Sequence, residues 1–385
     1  MKNFTYWNPT RIIFGRGTIA QLRDLIPQDE KILMTYGGGS IFKNGVYDQV
    51  KTALQTMSLQ EFGGIEANPT YETLMKAVEI VKKEGITFLL AVGGGSVLDG
   101  TKFIAAASRF EGDDPWDILA KGAKVKSAIS FGSVLTLPAT GSEMNSGAVI
   151  SRKSIQEKRD FGSPLTFPLF SILDPSSTFS LPTKQIRNGI VDTFIHTVEQ
   201  YLTYPVATPL QDRQAEAILK TLVEEADMIL SDPKDYDAMA TFMWCATQAL
   251  NGVLGCGVVQ DWATHIIGHE LTAFYGLDHA ETLAIVYPAL LRYKKKAKAE
   301  KLLQFGQRIF GINGLKRDDQ IESAIEATET FFHHIGMPTR LQNYQIDAKE
   351  AAEKIRERFI LRDNKIGEHK DIFPDDVKAI LLAAA

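Results

Sequence analysis

Thr87-Phe88-Leu89-Leu90-Ala91-Val92-Gly93-Gly94-Gly95-Ser96 is the stretch whose reading decides the fold. The apolar run from Phe88 to Val92 is too short for a helix and stops abruptly at three glycines, as a buried strand ending in a tight turn does. The same pattern occurs earlier, where Lys31-Ile32-Leu33-Met34-Thr35-Tyr36 runs into Gly37-Gly38-Gly39-Ser40. Other short β-rich runs are Ile12 to Phe14, Leu59 to Phe62, Ser133 to Leu137 and Phe170 to Leu173. Between them Val46, Val50, Leu54 and Met57 recur at helical spacing, as do Leu74, Val78 and Val81. Strands alternating with helices predict an α/β domain, a parallel sheet wound with helices on both faces.

The pattern changes after Leu181-Pro182. Segments 184–203, 207–230, 236–254, 260–275 and 279–297 are rich in Ala, Leu, Glu, Lys and Gln and predict helices. Nineteen of the 30 glycines precede residue 184, which places the change of architecture there. The expected organisation is therefore an α/β domain over 1–183 and an all-α domain over 184–385.

Bulk properties exclude several classes. The 385 residues carry a formal net charge of -5, which gives no electrostatic footprint for nucleic acid or an anionic membrane surface. No apolar run approaches the roughly 18 residues needed to cross a bilayer. The start, Met1-Lys2-Asn3-Phe4-Thr5-Tyr6-Trp7, lacks the apolar core of a secretion signal. The two cysteines, Cys245 and Cys256, form neither a CxxC pair nor a disulfide framework. A cytoplasmic location is expected.

Two glycine turns at strand ends suit a nucleotide. Glycine lets the backbone approach a phosphate, and the N–H groups at a helix start bind anions. Ser96 and Asp99 have the spacing of a capping box. The GxGxxG fingerprint itself fails, because Leu98 stands where the third glycine belongs. A Walker motif fails too, since Thr101 precedes Lys102.

The second chemical signal is a cluster of imidazoles. Of seven histidines, His265, His269 and His279 fall within fifteen residues, and His196 follows Asp192 by four. Residues at i and i+4 share one helix face, so Asp192 and His196 can clasp one ion, and His265 and His269 have the same spacing. A carboxylate with several imidazoles suits Zn²⁺ or Fe²⁺. The HExxH order of a metalloprotease is absent, because Ile266 follows His265. Trp244, Trp262 and Phe274 are candidates for an apolar substrate lining.

Taken with Asn8-Pro9-Thr10-Arg11-Ile12-Ile13-Phe14-Gly15, the stretches Leu90 to Asp99 and Ala263 to Glu270 resemble the iron-containing (group III) alcohol dehydrogenase family over essentially the whole chain. The branch it is most similar to holds the NADPH-dependent aldehyde reductases and butanol dehydrogenases. This resemblance implies the Rossmann-like plus helical fold, and metal ligands at Asp192, His196, His265 and His279. It implies a catalytic place for His269, beside the metal rather than on it. Cofactor contacts fall at Gly37, Gly38, Gly39, Ser40, Asn68, Gly94, Gly95, Ser96, Asp99, Thr136, Thr140 and Lys158, with Asn145 near the nicotinamide end. NAD-preferring relatives carry an acidic residue near Gly39, whereas this chain has Gly39-Ser40 with Lys43 nearby, so NADP(H) is expected over NAD(H). Expected partners are a small aldehyde or primary alcohol such as butanal or butanol and a second copy of the chain, with no nucleic acid or membrane.

Two rival readings remain open. A glycerol-1-phosphate dehydrogenase or dehydroquinate synthase type would need cations for a phosphorylated substrate, yet segment 255–283 contains no Arg or Lys. A nucleotide-binding regulatory protein with a residual metal site would have lost ligands, yet all four positions are filled.

Overall fold

The computed structural model describes all residues, Met1–Ala385. Eight strands form in chain order: β1 (Arg11–Phe14), β2 (Lys31–Tyr36), β3 (Ser58–Phe62), β4 (Phe88–Gly94), β5 (Ser130–Leu137), β6 (Gly147–Arg152), β7 (Glu157–Gly162) and β8 (Phe170–Leu173). The helices up to residue 120 are α1 (Leu22–Leu25), α2 (Val46–Ala53), α3 (Tyr71–Glu84), α4 (Gly95–Ala107) and α5 (Asp117–Ala120). Those that follow are α6 (Thr183–Tyr201), α7 (Pro209–Ser231), α8 (Tyr236–Ala249), α9 (Ala263–Tyr275), α10 (His279–Lys294), α11 (Ala299–Phe310), α12 (Arg317–His334), α13 (Ala348–Leu361) and α14 (Pro374–Ala383). No helix is long and apolar enough to cross a membrane.

The chain divides into two compact units. One contains Trp7–Ile186 with Ser231–Asn251, and the other Met1–Tyr6, Arg187–Leu230 and Gly252–Ala385. The first is an α/β unit built on a six-stranded sheet in the order β1-β8-β5-β4-β2-β3, parallel throughout. Successive side chains of a strand point to opposite faces, so each buried strand feeds two cores. Leu33, Leu89, Ala91 and Phe131 pack on one face with Leu74 and Val78 of α3 and Leu98 of α4. Ile32, Met34, Leu90, Val92 and Val134 pack on the other with Leu22 of α1 and Val46 and Val50 of α2.

Sequence reading found the six strands of this sheet. It missed the antiparallel pair β6–β7. The Gly37–Ser40 turn leads only into a short 3-10 turn, Ser40–Phe42, before α2. Helix α8 packs in the α/β unit: Trp244 meets Phe14 edge-on at 6.0 Å, and Thr247 Oγ1 donates to Glu143 at 2.5 Å.

The second unit is wholly helical. Phe194 of α6, Phe305 of α11 and Phe331 and Phe332 of α12 form an aromatic cluster. Ile267 and Leu271 of α9, Val286 and Leu290 of α10, Ile355 and Phe359 of α13 and Ile380 of α14 form the main apolar core. Pro288 lies inside α10, which continues through it.

Candidate functional site

Three helices of the helical unit bring one carboxylate and three imidazoles together. Asp192 and His196 lie one turn apart on α6, and His265 is the third residue of α9. His279 is the first residue of α10, fixed there by a capping box between Asp278 and Glu281. Asn188 of α6 donates to Asp278 at 3.1 Å, which ties that helix start to α6.

One oxygen, Asp192 Oδ1, faces all three rings. It lies 3.5 Å from Nε2 of His196, 3.6 Å from Nε2 of His279 and 3.9 Å from Nε2 of His265. A ligand atom from each of the four residues lies within 4.8 Å of the others. These separations are too long for good hydrogen bonds. They approach the spacing of donors around one cation, since tetrahedral ligands at about 2.1 Å from an ion lie about 3.4 Å apart. Asp192, His196 and His265 are buried and His279 is half-buried. The donor set of hard oxygen and borderline nitrogen therefore fits one divalent ion of the Zn²⁺ or Fe²⁺ type.

His269 stands one turn beyond His265 on α9, buried, with its ring 5.6 Å from that of His279. It is beside the quartet and outside the converging donor set. The adjoining Glu270 is clamped by Arg358 at 2.7 Å and Arg362 at 2.5 Å, which holds this face of α9 against α13. Trp262 lies against the rings of His196 and His265. Phe274 instead supports Arg358, and Trp244 is in the α/β unit against Phe14.

Sequence reading missed Glu199. Its carboxylate hydrogen-bonds with Nδ1 of His265 and accepts from Thr264 N at 2.8 Å. Burial pushes the Glu199 carboxyl up from the usual carboxylate range, with Asp261 adding to the effect. A carboxylate on Nδ1 fixes the tautomer that presents Nε2 to a metal, the arrangement that orients most metal-binding histidines. The signal was available: Glu199 follows Asp192 by seven and His196 by three, hence on the same face of α6.

Both glycine turns, Thr136 and Thr140 lie at the carboxyl ends of β2, β4 and β5, where open parallel sheets bind ligands, whereas Asn68 follows β3 and Lys158 is on the hairpin strand β7. Gly39 has φ 93°, a left-handed backbone that suits glycine. Gly94 ends β4 and Gly95 opens α4, so Ser96 lies inside the first helical turn and does not cap it. Asp99 turns elsewhere, accepting from Ser142 Oγ at 2.7 Å and Val149 N at 2.9 Å. The expected capping box is therefore absent. A Cβ at Gly95 would stand 2.4 Å from the side chain of Thr140, so close packing excludes any larger residue there.

Lys158, buried on β7, donates to Asn68 Oδ1 at 2.7 Å, and Asn68 itself adopts φ 56°. The missed hairpin thus carries one predicted cofactor residue onto another. Thr136 is buried near the end of β5. Asn145 Oδ1 accepts from Lys102 and from Gly147 N, and its amide donates to Gly141 O. That side chain is occupied in holding its own loop.

Comparison with known proteins agrees with this assembly. The iron-containing alcohol dehydrogenase profile matches residues 9–175, and the C-terminal profile of the Fe-containing alcohol dehydrogenase family matches residues 187–385. The NADPH-dependent aldehyde reductase YqhD of Escherichia coli (strain K12) is 54% identical over 386 residues, covering 100% of both chains. The probable NADH-dependent butanol dehydrogenase 1 of Bacillus subtilis (strain 168) is 42% identical over 389 residues, again covering 100% of both. The crystal structure of E. coli K-12 YqhD superposes with a TM-score of 0.98 at 53% identity, covering 100% of this chain and 99% of that one. The chain belongs to the iron-containing alcohol dehydrogenase family.

Proposed function

We propose that this enzyme is a metal-dependent aldehyde reductase that transfers hydride between NADP(H) and short- to medium-chain aldehydes or primary alcohols, butanal and butanol being representative. The observation that carries this reading is the convergence of Asp192, His196, His265 and His279 on one point. When bound, a divalent ion supplies Lewis acidity to a carbonyl oxygen and a nicotinamide supplies the hydride.

The chain's own residues do the rest. Asp192 contributes the single negative charge among the four donors, so a divalent ion held there keeps a net positive charge towards substrate oxygen. Glu199 orients His265. His269, next to the quartet, is placed to hold or pass the proton that the product alcohol acquires. Gly37, Gly38, Gly39, Ser40, Gly94, Gly95 and Ser96 offer backbone to phosphate, while Asn68, Thr136, Thr140 and Lys158 complete the cofactor site and Asp99 serves it by holding Ser142 and Val149. By function, residues 1–183 bind the dinucleotide and 184–385 bind the metal. We place the enzyme in the cytoplasm as a homodimer.

NADP(H) is favoured because the position near Gly39 carries no acidic side chain and Lys43 lies nearby. An NADH preference is the second reading, supported by the name of the B. subtilis relative. The test combines metal analysis of the native protein with rates of NADPH and NADH consumption across an aldehyde panel, and light scattering for the assembly. A metal-free protein with full turnover, or one inert to every aldehyde, would overturn the proposal.

A further inference from the structure

Lys102 is fully buried, a costly place for an ammonium unless it is paired and hydrogen-bonded. It sits on α4, seven residues after Gly95, and its Nζ donates to Ser142 Oγ at 2.7 Å, Asn145 Oδ1 at 2.9 Å and Gly147 O at 2.7 Å. Three donors meet three acceptors, and all three acceptors lie in one six-residue segment. Asp99, three residues earlier and on the same helix face, takes Ser142 Oγ and Val149 N. Two side chains of α4 thus staple residues 142–149 to the helix that the second glycine turn opens.

This segment continues directly from Thr140, whose side chain lies on Gly95 and whose Oγ1 accepts from Ser142 N at 3.1 Å. Other elements hold its far side: Ser171 Oγ donates to Glu143 O at 2.7 Å, and Thr247 Oγ1 donates to the Glu143 carboxylate. Asn8 donates to Met144 O at 2.8 Å. Only Lys102 and Asp99 connect it to the glycine-turn helix by side-chain hydrogen bonds.

We infer that Lys102 is a positioning residue for nicotinamide dinucleotide binding, fixing the 140–147 loop so that Thr140 completes the cradle over Gly95. The inference rests on the cofactor reading given above. Lys102 is fully buried, with its three donors taken by Ser142, Asn145 and Gly147. A methionine would fill the same space and bury no charge, so packing alone gives no reason for a lysine.

The experiment measures NADPH and NADH binding to the metal-loaded enzyme by fluorescence titration, with steady-state kinetics and metal content, for the parent, Lys102→Met and Ser142→Ala. Lys102→Met is expected to raise the Kd and KM for the cofactor about tenfold, with kcat changed by less than about threefold and metal content unchanged. Ser142→Ala, a smaller change for the case that Lys102→Met does not fold, is expected to raise the Kd about threefold. A general structural role would lower kcat, metal content and cofactor affinity together, and that result overturns the inference. Parent-like cofactor affinity in either folded variant overturns it as well. A parent that binds neither dinucleotide sinks the cofactor reading itself, a failure seen before any variant is made.

Discussion

The carboxylate of Glu199 and Nδ1 of His265 share a hydrogen bond between α6 and α9, with both side chains buried. Through it a residue outside the donor quartet sets which nitrogen of His265 faces Asp192. Glu199→Gln keeps the shape and an acceptor for Thr264 N, but turns an NH2 donor towards Nδ1 of His265 in place of a carboxylate oxygen. Metal affinity should fall by about 10- to 100-fold. The metal-free protein should hold or gain thermal stability, because burial and Asp261 both penalise the ionised form of Glu199, a penalty that a neutral amide does not meet. Chelator competition and calorimetry with and without metal read both effects. An unchanged metal Kd would remove Glu199 from the site.

His265→Ala and His279→Ala should abolish metal binding and turnover together, since each deletes one of four ligands. His269→Ala should retain metal and turn over more slowly. If His269→Ala instead lost its metal while His279→Ala kept it, the two histidines would have to exchange roles.

Cofactor choice can be tested at the first glycine turn. An acidic residue at Gly39 would be strained by the φ of 93°, and its Cβ would meet the Phe42 ring at 3.2 Å. Gly38 has open space around it. Gly38→Asp is therefore the cleaner change, and it should shift the ratio of kcat/KM for NADPH over NADH towards NADH by repelling a 2′-phosphate. A ratio equal to the parent's would argue against this turn as the ribose site.

Gly95→Ala should destabilise the α/β unit by about 1–3 kcal/mol, because the added methyl collides with Thr140. Cofactor affinity should weaken in parallel, whereas metal content should not change. Denaturant unfolding and metal analysis separate these outcomes.

Burial lowers the pKa of Lys102 from 10.5 to about 8, opposed by Asp99 and Glu143. Below pH 8 the lysine is charged in folded and unfolded chains alike, and its burial cost is fully present. Between pH 8 and 10.5 the folded protein has released a proton that the unfolded chain still binds, so this group's contribution shifts in favour of folding as pH rises. The denaturation midpoint of the parent, taken relative to Lys102→Met, should therefore climb across that window. Parallel curves would show that Lys102 does not titrate there.

Much of this was legible because burial and periodicity leave marks. The runs Ile32 to Met34 and Phe88 to Val92 are apolar without a break since both faces of each strand are covered. Asp192 and His196 announce themselves through helical spacing. The hairpin β6–β7 stayed hidden because Lys158 occupies a buried position and interrupts the apolar alternation. Glu199 was overlooked because a lone acidic residue on a helix usually faces water. Ser96 and Asp99 imitate a capping box, and only the actual start of α4 at Gly95 reveals that Asp99 serves Ser142 instead. Periodicity identifies α8 as a helix, but nothing in it states which neighbours the helix packs against.

That last placement bears on how the polypeptide can be divided. The chain passes from one unit to the other at 6/7, 186/187, 230/231 and 251/252. A fragment beginning at residue 184 would carry α8 without Phe14 and Glu143, leaving Trp244 and Thr247 stranded. A fragment ending at 183 would lack the helix that closes its own core. Proteolytic nicking or gene splitting at the architectural boundary should therefore yield two damaged pieces, and a faithful half-enzyme would require α8 to be grafted back onto the sheet.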